Sequence, residues 1–292
     1  MNGILLVDKP EGTSSAGVIR MLKPRLRGAK VGHLGTLDPF ASGLLPLCIG
    51  EATKVARYLL LEGKAYTGTI QLGAATDTLD RTGAVTETAP VPTLVPGMLA
   101  DVATRFRGVS EQVPPMYSAL KRDGVPLYKL ARRGIEVERA PRRIEIERLD
   151  LTLRSADTLA FDVTCTKGTY VRVLAADIGR ALGTVAHLSS LRRTAVGSFR
   201  VDEAITPARL SEPDDPLPLV PVREALAGRM AFQLPPESVA RLRQGQQGAL
   251  RDLPPARGAE AALVVVAGGG VVGIIEPSTG GVWRLVRLLN ES

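Results

Sequence analysis

GHLGTLDPFASGLLPL, residues 32–47, holds three glycines, two prolines, several aliphatic side chains and one carboxylate, Asp38. The neighbouring ionisable groups along the chain are Lys30, His33 and Glu51. An Asp-Pro step commonly initiates a turn, because the Asp side chain accepts from nearby backbone N–H groups. Three features point beyond a turn. Gly32, Gly35 and Gly43 permit close approach of something bulky to the backbone. His33 brings a polar ring. No neighbouring acid makes a metal-binding pair or an acid–base dyad, so the carboxylate needs a cationic partner from elsewhere or has a raised pKa. A lone carboxylate of this kind suits covalent attack on a sugar or an activated ring carbon. An arginine would hold it ionised and oriented. KGTYVR, residues 167–172, supplies one: Gly168 allows a tight approach, and Tyr170 and Arg172 alternate onto one face of a strand end.

Working outward from this loop, GILLVDKP (residues 3–10) reads as a short buried strand ended by a turn. Thr13, Ser14 and Ser15 offer N-caps for a helix bearing Val18, Ile19 and Leu22 and stopped at Pro24. GEATKVARYLLLEG (50–63) has the pattern of an amphipathic helix. In the strand that follows, a period of two places Lys64, Tyr66, Gly68, Ile70 and Leu72 on one face. A Pro-rich connection over 90–97 leads to a helix ending near Phe106. IEIERLDLTLRS (144–155) and TLAFDVTCTKGTYVR (158–172) alternate like two antiparallel strands, and VRVLAADIGRALG (171–183) is a helix closed by Gly183. SEPDDPLPLVPV (211–222) reads as a linker, and β-like segments follow a short helix beyond it. The pattern is α+β, with a large domain over 1–228 and a small β-barrel-like domain over 229–292.

The composition narrows the function. Of 292 residues 45% are hydrophobic but only 4% aromatic, so Leu, Val, Ile and Ala must build the core. Lys and Arg number 37 against 30 acids, for a formal charge of +7. That balance suits a polyanionic partner such as nucleic acid, although a soluble protein that is merely basic has the same balance. Cys48 and Cys165 give no disulfide framework and read as buried thiols in a reducing compartment. With two Cys, two His and no CxxC, no metal site is expected. MNGILLVDKP lacks the form of a signal peptide, and no apolar run approaches the ~20 residues of a membrane span. The expectation is a cytoplasmic protein with no membrane partner.

GHLGTLDPFASGLLPLCIGEATK closely resembles the signature of the TruB-type tRNA pseudouridine synthases. LLVDKPEGTSS, KAYTGTIQLGAATDTLDRTG, VPPMYSALKRDGVPLYKLARRG, CTKGTYVRVLAADIG and AHLSSLRRTAVGSF also resemble the family, in family order, to about residue 200. The C-terminal segment resembles the small RNA-binding PUA domain. The resemblance implies a large mixed, mostly antiparallel sheet flanked by helices and loops, and a reaction that isomerises uridine 55 in the T-loop of tRNA. By matching position it implies that Asp38 is the catalytic aspartate and that Tyr66 stacks on the target base and helps remove the C5 proton. Arg172 would pair with the acid, His33 would reach into the T-loop, and Leu191 would line the base pocket. Lys9, Lys54 and Tyr170 would support RNA or pocket structure. Phe40 and Ser42 stand where Leu and Thr are frequent in the family.

Moving the glycosidic bond from N1 to C5 requires no redox change, energy source or metal, so no cofactor is expected. The carboxylate attacks either C6 of the base or C1′ of the ribose; both remain open from sequence. The expected partner is tRNA, gripped by basic segments at 20–30 and 121–148, with the acceptor stem reached through the C-terminal domain and the protein acting as a monomer. The rivals are a guide-RNA-dependent synthase, a non-catalytic tRNA chaperone and a glycoside-type hydrolase, the last of which needs a second carboxylate beside Asp38.

Overall fold

The two aliphatic runs that flank the Asp38 loop in sequence lie against each other in space. Strand β1 (Gly3–Lys9) pairs antiparallel with a later strand of eight residues, reached through β2 (Val31–His33) and the Asp38 loop. That later strand, β3 (Ser42–Ile49), places Gly43 opposite Lys9 and Ile49 opposite Gly3. Each has one residue that is not fully buried, which is why both read as continuous apolar runs rather than alternating ones. The computed structural model describes residues 1–60, 63–210, 212, 216–256 and 260–290.

The remaining strands of the ten-stranded sheet are β4 (Lys64–Leu72), β5 (Gly108–Gln112), β6 (Arg142–Ser155), β7 (Thr158–Cys165), β8 (Ala186–Val196), β9 (Phe199–Arg200) and β10 (Leu219–Val220). The order across the sheet is β10-β1-β3-β8-β4-β7-β6-β5, with β2 added to β3 and β9 to β8. Every pairing is antiparallel except β8 with β3, where Arg192 and Arg193 lie beside Ser42 and Gly43. This one parallel contact brings the Asp38 loop against the strand that carries Leu191. Gly43 makes it possible: its φ is +101°, and a Cβ there would lie 2.3 Å from the Arg193 carbonyl oxygen.

Helices α1 (Ser15–Leu22), α2 (Pro96–Phe106) and α3 (Val171–Ala181) cover the sheet. Ser14 caps α1, its Oγ accepting from Gly17 N at 3.0 Å. Leu99 and Val102 of α2 and Leu174 and Ile178 of α3 bury against Ile70, Leu159, Phe161 and Val163 of the central strands. Leu37, Phe40, Ala41 and Tyr66 belong to the same apolar cluster, so the Asp38 loop is packed into the core on its hydrophobic side. Cys48 and Cys165 are free and buried. No helix among the described residues is long and apolar enough to cross a membrane.

The structure departs from the sequence reading in three places. Residues 50–59 form a 3₁₀ turn (Gly50–Lys54) and one α-turn (Ala56–Leu59) rather than one amphipathic helix, with Val55 at ψ −3° between them. Residues 61 and 62, also assigned to that helix, lie outside the described residues. The strand leading to KGTYVR ends at Cys165, and Gly168, at φ +86°, turns the chain so that Tyr170 becomes the N-cap of α3 and Arg172 its second residue. The linker is not free of structure either: Leu219 and Val220 pair with Leu5 and Ile4 as an edge strand.

Beyond the linker, β11 (Ala231–Gln233), β12 (Ala262–Val265), β13 (Val271–Pro277) and β14 (Trp283–Leu288) form a separate four-stranded sheet in that order, with helix α4 (Pro236–Arg243). Leu263, Val265, Val271 and Ile274 of this sheet, with Leu289 just after it, bury in one cluster with Ile4, Leu44, Val55 and Phe199 of the larger domain. Polar contacts complete the seam. Lys54 Nζ donates to Glu51 Oε2 at 2.7 Å and to Leu288 O at 2.9 Å, and Tyr58 Oη donates to Glu276 Oε1 at 2.8 Å.

Candidate active site

Asp38 hangs from the loop between β2 and β3. Its backbone carbonyl accepts from Ala41 N at 3.1 Å, closing a turn about Pro39. The main chain therefore makes the turn, and the side chain is released for another purpose. Its Oδ2 lies 2.9 Å from Nε of Arg172. The loop is pinned on both sides of this acid. Ser15 Oγ accepts from Leu37 N at 2.9 Å and donates to Leu37 O at 3.2 Å. Lys9, wholly buried, donates from Nζ to Pro10 O at 2.9 Å, Thr13 O at 2.7 Å and Pro39 O at 3.4 Å.

Arg172 is only 4% exposed, and each guanidinium nitrogen has an assigned partner. Nη1 donates to Thr78 O and Nη2 to Tyr117 O, both at 2.7 Å, which leaves Nε for Asp38. Nη1 also lies 3.6 Å from Oδ2 of Asp80. Asp80 is itself buried, and its Oδ1 accepts from Thr78 Oγ1 at 2.9 Å, Thr82 N at 2.9 Å and Thr82 Oγ1 at 2.6 Å. The expectation of a solitary acid is thus corrected. A second carboxylate arrives from a distant loop and shares the arginine, which sequence proximity does not reveal.

Burial pushes the Asp38 carboxyl above the ordinary carboxylate range; the Arg172 charge and hydrogen bond pull it down, the Asp80 charge adds to the rise, and Lys9 opposes it. Burial likewise lowers Lys9 to about 8, against the attraction of Asp38 and Glu11. The result is a carboxylate of raised basicity, aimed by a rigid cation.

The other sequence-selected residues sit on several different elements. Tyr66, on β4, is buried in the cluster that holds Leu37, Phe40 and Leu191. Burial pushes its phenol up, while the Arg193 guanidinium opposes the rise. Leu191 lines a cleft of about 430 Å³ together with Ser42, Gly68, Phe161 and Arg192. His33, on β2, is held below its usual pKa by burial and by the charge of Arg193, and its Nδ1 is buried with no hydrogen-bond partner. Tyr170 is fixed through its backbone, N accepting nothing but donating to Gln112 Oε1 at 2.8 Å while its O accepts from Gln112 Nε2 at 3.2 Å. Lys9 braces the loop, and Lys54 sits at the seam with the C-terminal sheet. No group of three or more His, Cys, Asp or Glu among the described residues is placed to hold a metal ion.

Two residues escaped the sequence reading. Asp80 carried a signal in its flanks, since Thr78 and Thr82 at ±2 place hydroxyls on either side of an acid. Arg193 carried another: in β8 it keeps the register of Leu191 and Ala195 on the buried face, where a charge is out of place.

The fold defines the class first. The architecture superimposes on the crystal structure of a Cbf5-Nop10-Gar1 complex with a TM-score of 0.72, covering 98% of this chain and 84% of that one at 24% identity. The structure of an H/ACA RNP bound to a substrate RNA containing 2′-deoxyuridine gives 0.72 at 22% identity, over 99% and 85% of the two chains. Sequence comparison is more specific. Residues 21–171 match the N-terminal domain of the TruB family pseudouridylate synthases, and residues 172–213 match the tRNA pseudouridylate synthase B C-terminal domain. The tRNA pseudouridine synthase B of Bordetella avium is 51% identical over 74% of this chain and 89% of its own. That of Dechloromonas aromatica is 45% identical over 99% and 96%. The chain belongs to the TruB family of pseudouridylate synthases.

Proposed function

We propose that this enzyme converts uridine 55 in the T-loop of tRNA to pseudouridine, with Asp38 as the nucleophile acting on a flipped-out base. The observation that carries this reading is the 2.9 Å contact between Asp38 Oδ2 and a buried Arg172 whose other nitrogens are already engaged. Such an arginine fixes one carboxylate oxygen and leaves the other for attack at C6 of the base or C1′ of the ribose. The N1–C1′ bond breaks, a C5–C1′ bond forms, the C5 proton leaves and N1 gains one. Tyr66 is the stacking partner and the group nearest in kind to the task of taking the C5 proton.

Extruding a base from a folded loop costs ~ a few kcal/mol. Stacking on an aromatic ring returns about 1–3 kcal/mol per base, and Leu191 and Phe161, in the same apolar cluster as Tyr66, add contact area. Exposed Lys121, Arg122, Lys129, Arg132 and Arg133 on one side, and Lys23, Arg27 and Lys30 on another, are suited to phosphates. His33 reaches into the emptied loop, and Lys9, Lys54 and Tyr170 hold the frame.

The C-terminal sheet is read as a PUA-like RNA-binding domain over 229–292, docked at the seam described above. Its exposed Arg241, Arg243, Arg251, Arg284 and Arg287 support contact with the acceptor stem. We read the enzyme as acting as a monomer, and the chemistry suits a cytoplasmic enzyme acting on tRNA.

Release of tritium from tRNA carrying C5-tritiated uridine tests the reading. Wild-type protein is expected to release one equivalent per tRNA and Asp38→Asn none, with tRNA binding retained. Tight binding by wild type with no release would leave a chaperone and contradict the assignment.

A further inference from the structure

Arg193 is 1% exposed and is among the largest fully buried side chains. Its Nε donates to Leu44 O at 2.7 Å and its Nη2 to Gly35 O at 3.0 Å. Among the described residues no carboxylate forms an ion pair with it. A buried guanidinium without a counter-charge is costly, and an apolar side chain of similar volume would pack there at lower cost. Packing alone does not account for its presence.

Its surroundings do. Gly35 and Leu44 bracket Asp38 at the two ends of the loop, so one side chain grips both ends. On the neighbouring strand, Tyr66 is the residue directly opposite Arg193 in the β4–β8 ladder. Cross-strand neighbours of this kind have their side chains on one face. The guanidinium charge acts on the phenol from across the ladder, opposing the rise that burial gives its pKa. A built Cβ on Gly35 would lie 3.5 Å from Arg193 Nη1, so the loop backbone and the guanidinium are in close contact without a side chain between them. The planar fork of arginine presents separated donors to several acceptors at once, which the single ammonium of lysine does not.

We propose that Arg193 is a positioning residue: it clasps the Asp38 loop through Gly35 and Leu44 and sets the Tyr66 phenol against that loop. The assignment rests on the function proposed above, because the Tyr66 ring is taken to meet the target base. It differs from the role of Arg172, which touches the nucleophile itself. Arg193 acts through Tyr66 and through backbone.

A double-mutant cycle on tRNA, read by single-turnover rate and by Kd, tests this. Arg193→Met is expected to lower the rate about 100-fold while Kd changes less than about 3-fold. Arg193→Lys keeps the charge and is expected to recover part of the rate, leaving about a 10-fold loss. Combined with Tyr66→Phe, which removes the hydroxyl, Arg193→Met is expected to cost clearly less than the product of the two single losses, the part that remains being the share of the loop clasp. Where Arg193→Met does not fold, Arg193→Lys carries the cycle. Effects of Arg193 and Tyr66 changes that multiply, or a wild-type rate in Arg193→Lys and Arg193→Met, would overturn the assignment in an active enzyme. Wild-type protein that makes no pseudouridine would overturn the proposed function, and this assignment with it.

Discussion

Arg172 meets Asp38 through Nε at 2.9 Å while its two terminal nitrogens are held by the carbonyls of Thr78 and Tyr117. The arginine is therefore a bracket fixed at two points before it reaches the acid. Arg172→Lys keeps the charge but offers one nitrogen where three contacts are made. The expected result is a loss of about 100-fold or more in single-turnover rate with tRNA affinity within a few-fold of wild type. Equal losses in affinity and rate would instead show that Arg172 binds RNA.

The pH dependence follows from the opposing influences on Asp38. Burial raises its carboxyl pKa, and Arg172 is the strongest influence opposing that rise. Attack needs the ionised form, so activity is present above the folded pKa and lost as pH falls through it. The acidic limb of the rate profile should lie above the ordinary aspartate value of about 3.9. Arg172→Lys, with its looser cation, should move the limb to still higher pH. A limb unmoved by that change would separate the titrating group from Asp38.

Asp80 gives a structural test of the same network. One of its oxygens takes three donors, and the other faces Arg172 Nη1 at 3.6 Å. Asp80→Asn presents an amide N–H₂ either to that guanidinium or to the three donors. Unfolding in urea should show a destabilisation of about 2–4 kcal/mol, together with a slower reaction. Wild-type stability with wild-type rate would show that Asp80 is a bystander.

Lys9 sets a different pH dependence, this time of stability. The native side chain releases its proton near 8, while the unfolded chain keeps its proton until about 10.5. Between those values the unfolded state binds more protons, so raising the pH stabilises the native state. Relative to Lys9→Met, wild type should gain stability from about pH 8 upward, by at most about 3 kcal/mol. Paired urea titrations at pH 7 and 9.5 check this, and a gap that stays constant would contradict the buried titration.

Much of this architecture was legible in the sequence, and for physical reasons. Period two put Lys64, Tyr66, Ile70 and Leu72 on the buried face of β4, because a strand with one face on the core must alternate. The capping serine of α1 and the glycine that closes α3 were equally plain. What local reading missed depends on distant parts of the chain. Residues 50–59 have helical periodicity, yet Lys54 and Glu51 there are drawn to Leu288 and Asn290, more than 230 residues away, and the helix breaks into single turns. Arg172 was found, but on a strand rather than in the first turn of α3. Asp80 and Asp38 meet at an arginine far from both along the chain, so no spacing in the sequence records the relation.

The central claim is that Asp38 acts on a single uridine of the tRNA T-loop. Its most direct test is incubation of unmodified tRNA with the protein, followed by mapping of pseudouridine through carbodiimide-dependent reverse-transcription stops. One stop, at uridine 55, is expected with wild type, and none with Asp38→Asn although that variant still binds tRNA. A stop elsewhere, no stop with wild type, or an undiminished stop with Asp38→Asn would contradict it.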